Sequence, residues 1–191
     1  MSSPRSRTWF ALALIALIQT GVLLHLVLDR MRLIAAGREI TLPIRPVDPR
    51  DIFRGEYVRL GYDIDTLPLR LLTGERPADN AAFFVVLERG EGGDWQPVQI
   101  SSRLPSPLPA ERIALKARPL SRWPVVRSPE ATQGAHYGIE QYFVPQGEGR
   151  RLESLAREKK LAARIAVDSG GNAALKGLVI DGKLEYEEPL F

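Results

Sequence analysis

Hydrophobic residues are distributed unevenly along this chain, and the densest block comes first. Trp9 to Leu28 is apolar apart from Gln19, Thr20 and His25. A helix needs about 20 such residues to cross a hydrocarbon core of about 30 Å, so the stretch is long enough to span one. Arg5, Arg7 and the free amino group precede it, while Asp29, Arg30 and Arg32 follow. The uncompensated positive charge lies in front, which predicts a cytoplasmic amino terminus. The run exceeds the roughly 7–15 residues of a cleaved signal peptide's apolar core. Its best small-residue exit, Ile34-Ala35-Ala36, has isoleucine where a small residue is wanted. A retained anchor is therefore predicted. The expected division is a cytoplasmic tail at 1–8, a transmembrane anchor at 9–28, a helical continuation or stalk at 29–38, and one external domain at 39–191.

Beyond the anchor the pattern shortens to that of strands. Glu39 to Ile44 reads as the first. Asp48 at N-cap, Pro49 at N1, Asp51 at N3 and Gly55 just past the end then specify a helix of one or two turns. Val58, Leu60, Tyr62 and Ile64 alternate with Tyr57, Arg59, Gly61 and Asp63, predicting a strand with its first set inward. Phe83 to Arg89 and Trp95 to Ile100 flank a turn and read as a hairpin. Ile113 to Arg118 is a further strand, set between proline-broken loops at 104–109 and 119–134. His136 to Val144 reads as one strand, and Arg150 to Lys160 as a helix with Leu152, Leu155 and Ala156 inward. Ala162 to Val167, Ala173 to Ile180 and Lys183 to Glu187 complete the chain as strands, joined by turns at 168–172 and Asp181-Gly182. The predicted class is α+β: a transmembrane helix, then a mostly antiparallel sheet or open barrel with one main soluble helix.

Two blocks of this pattern are more specific. The first is Gly55-Glu56-Tyr57-Val58-Arg59-Leu60-Gly61-Tyr62, preceded by Pro46 to Arg54. The second is Tyr137-Gly138-Ile139-Glu140-Gln141-Tyr142-Phe143-Val144-Pro145, continuing to Gly149 and then Leu152-Glu153. In this order, behind an anchor, they resemble the GDYXXLXY proteins, named for Gly-Asp-Tyr-x-x-Leu-x-Tyr. The resemblance spans most of residues 39–182. Glu56 stands where the family name has aspartate, which keeps the charge but moves the carboxylate out by one methylene. The resemblance implies a membrane-anchored bacterial protein with an external domain in the periplasm. A multi-pass membrane protein is the partner it implies; it supplies no reaction.

Composition narrows the chemistry. The formal charge of +3 falls to +1 once Arg5 and Arg7 are set aside, and no basic run is interleaved with aromatics, so no nucleic-acid partner is expected. The absence of cysteine removes disulfides, thiol catalysis and thiolate metal sites. The most concentrated polar cluster is Asp48, Arg50, Asp51, Arg54, Glu56 and Arg59. Helix capping and pairs at helical spacing explain most of it, and a small-ligand-sensing site near Asp48–Arg59 is the alternative. Tyr62 is expected inside with its hydroxyl bonded. Tyr57 is the candidate for a contact surface, as is the 119–134 loop. His136 is the single histidine outside the anchor and cannot by itself build a multi-histidine zinc site. Gly177 to Leu184 comes close to a phosphate-binding loop but lacks the final serine or threonine. No Gly-x-Ser-x-Gly and no Ser-x-x-Lys occurs. A binding or assembly module is expected, without enzyme activity, cofactor or metal. Its candidate surface is Asp48 to Tyr62, including Gly55 and Leu60, with the second block Tyr137, Gly138, Glu140, Tyr142, Phe143 and Pro145.

Overall fold

The computed structural model describes residues 4–45, 57–124, 128, 130–144 and 147–187. Helix α1 (Pro4–Ala36) runs without a break, and its segment Trp9–Ala36 is long and apolar enough to cross a membrane. Phe10, Leu17, Leu23 and Leu26 are all exposed on it. Its final turns behave differently. Ile34 is buried, and Arg30 Nη1 donates to the Ala173 carbonyl at 3.3 Å. Residues 29–36 therefore continue the helix and rest on the domain. The contact demands Gly37, where a Cβ would lie 2.4 Å from the Leu33 oxygen and 3.0 Å from Ala166 Cβ.

The strands that follow are β1 (Arg38–Arg45), β2 (Tyr57–Arg59), β3 (Gly61–Tyr62), β4 (Thr66–Pro68), β5 (Phe83–Arg89), β6 (Trp95–Ser101) and β7 (Arg112–Pro119). Then come β8 (Thr132–His136), β9 (Gln141–Phe143), helix α2 (Gly149–Arg157), β10 (Leu161–Val167), β11 (Ala173–Ile180) and β12 (Lys183–Glu187). They form one five-stranded sheet in the order β12-β11-β10-β1-β3, a second in the order β4-β8-β7-β5-β6, and a two-stranded ribbon β2-β9. Every ladder between these strands is antiparallel, and the sheets are open rather than closed barrels.

The alternation read from sequence is the alternation of burial. Ile40, Leu42 and Ile44 of β1 point inward between exposed neighbours. Strand β5, apolar on both faces, is paired on both sides, with β6 and β7, and buries Phe83, Val85, Val86 and Leu87. One hydrophobic cluster joins both sheets, the ribbon and Leu152 and Ala156 of α2. The Lys116 amide donates to the Gly171 carbonyl at 2.7 Å, tying the loop of one sheet to a strand of the other.

Several boundaries differ from expectation. The strand expected over 57–64 is β2, then β3, then a 3-10 turn at Asp63–Asp65, because the chain leaves β9 and crosses to pair with β1. Its inward set is nevertheless right, since Val58, Leu60, Tyr62 and Ile64 are all buried. His136 to Val144 is two strands, β8 ending at His136 and β9 beginning at Gln141. The 119–134 segment ends in a strand from Thr132, and β4 pairs with it. Helix α2 stops at Arg157, short of Lys160, with Lys159 in the left-handed region at φ 57°.

Candidate functional site

The two sequence blocks meet. Strand β2 of the first pairs with β9 of the second, setting Tyr57 opposite Phe143, Val58 opposite Tyr142 and Arg59 opposite Gln141. The Leu60 amide continues the ladder by donating to the Glu140 carbonyl at 2.8 Å. Val58 and Tyr142 turn into the core, while Arg59, Gln141 and Phe143 turn outward. The blocks are thus cross-strand neighbours, and their spacing in sequence is the length of the excursion through β3 to β8.

Beneath the ribbon two tyrosines clasp each other's segments. The Tyr62 hydroxyl donates to the Ile139 carbonyl at 2.8 Å, and the Tyr137 hydroxyl donates to the Ile64 carbonyl at 2.7 Å. Both phenols are pushed well above their ordinary pKa, chiefly by burial, with the nearby Glu140 and Asp65 carboxylates adding to it. They stay protonated donors at any physiological pH.

The turn between β8 and β9 is built on a carboxylate. Glu140 accepts from the amides of Tyr137 and of Gly138, the latter at 2.9 Å, and its Oε2 lies 2.9 Å from His136 Nδ1. Gly138 has φ +81°, a conformation that other residues reach only with strain. Asp65 faces the same group. Its Oδ2 accepts from the Tyr62 amide at 2.7 Å, and its Oδ1 is buried with no hydrogen-bond partner. Burial raises the Asp65 carboxyl to about 6; the Tyr62 amide opposes this, Glu140 adds to it, and Arg45 and His136 oppose it.

This arrangement organises backbone more than it offers chemistry. The Glu140 oxygens are spent on turn amides and on His136. No group of three histidine, aspartate or glutamate residues suited to a metal occurs among the described residues. Asp48, Arg50, Asp51, Arg54, Gly55, Glu56 and Pro145, with the predicted cap helix, lie outside the described residues. Of the predicted site, Leu60, Tyr62, Tyr137, Glu140 and Tyr142 are core, and Arg59 and Phe143 are exposed. Sequence reading missed Asp65, which sits three residues past the motif and carries no pattern of its own. A cavity of about 250 Å³ borders Tyr62 and is lined by Asp63, Asp94 and Trp95, among others.

The family model of the GDYXXLXY protein matches residues 19–178, most of the chain. This chain belongs to the GDYXXLXY family. No curated protein matches it, and no solved structure does. In this GDYXXLXY protein the leucine and the final tyrosine of the motif are buried, so those two letters describe how the domain folds.

Proposed function

We propose that this GDYXXLXY protein is a single-pass inner-membrane module whose periplasmic domain binds a multi-pass membrane protein and catalyses nothing itself. In this reading residues 9–28 are the anchor and the amino terminus is cytoplasmic. The domain engages its partner through the outward face of the β2-β9 ribbon. One observation carries it. Outside α1, the large hydrophobic side chains exposed among the described residues are Phe143, at 72%, and Leu120, at 62%. Phe143 lies on the ribbon opposite position 57, and Leu120 belongs to the 119–134 segment. Both lie on surfaces that the chain pattern offers for contact, the anchor being the third. An aromatic and an arginine on one outward face of the ribbon, Phe143 and Arg59, are residue types enriched at interaction surfaces.

Co-purification of the full-length protein from native membranes tests this. The wild type should bring down one multi-pass protein in stoichiometric amount, and Arg59→Ala/Phe143→Ala should lose it while still unfolding in a single cooperative transition. Recovery of a monomer alone in both cases would sink the assembly reading.

A further inference from the structure

A second candidate site lies where α1 meets the domain. A groove of about 950 Å³ runs between the exit turns of the helix, the start of β7 and the β10-β11 loop. Leu26, Leu33, Leu104 and Leu108 contribute apolar wall, and Ser106 and Asn172 lie along it. Four arginines, Arg30, Arg32, Arg38 and Arg112, face it against two aspartates, Asp29 and Asp168. The excess charge is positive, and it is all guanidinium.

The arginines divide by how they are held. Arg38 donates to the carbonyls of Arg112 and Ala110 and lies over the Trp95 ring, 5.3 Å from its centroid. Arg112 donates from Nε to Glu88 at 3.0 Å. These two are fixed in the domain wall. Arg30 makes a single longer bond to a backbone carbonyl at 3.3 Å, and Arg32 stands 3.9 Å from Asp29 with a largely exposed side chain. A guanidinium carries five N–H donors in a planar fork that suits phosphate oxygens. Neither helix arginine commits more than a fraction of that capacity to protein.

Position decides the ligand. Leu26 belongs to the apolar run that ends at Leu28, and Asp29 and Arg30 are the first charged residues after it. A spanning helix places that change of polarity at the boundary between hydrocarbon and headgroups. The groove straddles the same change, with Leu26 on one side and the arginines on the other. A soluble anion would need only the arginines. A ligand that uses both sides has an anionic head and an apolar body.

The geometry points to a binding site for the phosphate headgroup of an anionic membrane phospholipid, seated against the exit of α1. The site rests on the anchored reading of α1 but not on the protein partner. A bound headgroup would bridge the helix arginines to those of the domain wall. It would thereby hold the domain in one orientation against the membrane surface.

The test uses the full-length protein in lipid nanodiscs of phosphatidylcholine, with or without phosphatidylglycerol, followed by native mass spectrometry of the lipids retained after gentle release. Phosphatidylglycerol should be retained over phosphatidylcholine by about tenfold, the scale of one charge-assisted contact. Arg30→Gln/Arg32→Gln should erase that preference, and Arg32→Gln alone, which disturbs no backbone bond, should weaken it. Arg70→Gln, an exposed charge elsewhere, should leave it intact. Equal retention of the two lipids, or the same loss in Arg70→Gln, would overturn the site while leaving the anchor standing. Stabilisation by inorganic phosphate in detergent matching that by the lipid would overturn the lipid assignment in favour of a free anion. Extraction of the protein from native membranes by alkaline carbonate would remove the anchor and the site together.

Discussion

At the scale of the residue, the motif is held by two phenols and two carboxylates. Tyr62 and Tyr137 each satisfy a carbonyl of the other's segment, 77 and 73 positions away in sequence. Removing either hydroxyl leaves a buried carbonyl unpaired, so Tyr62→Phe and Tyr137→Phe should each cost about 1–3 kcal/mol in chemical denaturation. The double variant should deviate from additivity, because both bonds close the same clasp. Asp65 gives a pH prediction. Its folded pKa of about 6 exceeds the ordinary aspartate value of about 3.9, so the folded protein holds this proton more tightly than the unfolded chain. Its contribution to stability is present at low pH and is lost as pH rises from about 4 to about 6, flattening above that. Asp65→Asn keeps an acceptor for the Tyr62 amide and should remove that dependence, read as melting temperature against pH beside the wild type. The inward set Val58, Leu60, Tyr62 and Ile64 was legible in the sequence because alternation reports burial directly. The clasp was not, because nothing local marks which distant carbonyl a buried tyrosine will find.

At the scale of the element, what could be read depended on whether a pattern was local. Strands β5, β10, β11 and β12 fall close to where their apolar runs and turn dipeptides put them. The strand expected over His136 to Val144 failed because the Glu140 carboxylate folds that segment on itself, capturing the amides of Tyr137 and Gly138. A glycine two residues before a glutamate is too common a pattern to announce such a turn. Gly138→Ala should therefore destabilise the β8-β9 connection by about 1 kcal/mol, and more if the strained φ disturbs the capture, as measured by thermal unfolding. The helix-to-sheet junction is the stricter case. Gly37→Val places a side chain where even a Cβ meets the Leu33 oxygen at 2.4 Å. Overpacking of this kind costs about 1–3 kcal/mol. The local result should be release of the last turns of α1 from β10, seen as new protease cleavage after Arg30 or Arg32. The same variant should leave the β2-β9 ribbon and its contacts unchanged.

At the scale of the whole molecule, an exposed apolar helix continues directly into a folded domain. Ile34, Gly37 and Arg30 fasten the two together, so a membrane around α1 would fix which faces of the domain are near it. The ribbon formed by the two family blocks presents Phe143 and Arg59, and the groove beside α1 presents arginines next to the end of the apolar run. Length and polarity made the long apolar helix legible, and two separated blocks made the family legible. The proposed partner would leave no such imprint, because a contact face is written in surface residues that the fold leaves unconstrained. The most direct measurement is site-specific photo-crosslinking in native membranes, with a benzophenone side chain at position 143 and a control at the exposed Lys183 of β12. One discrete adduct with a multi-pass membrane protein is expected from position 143 and none from position 183. Adducts of equal yield from both positions, or none from 143 in a membrane-embedded and folded protein, would contradict it.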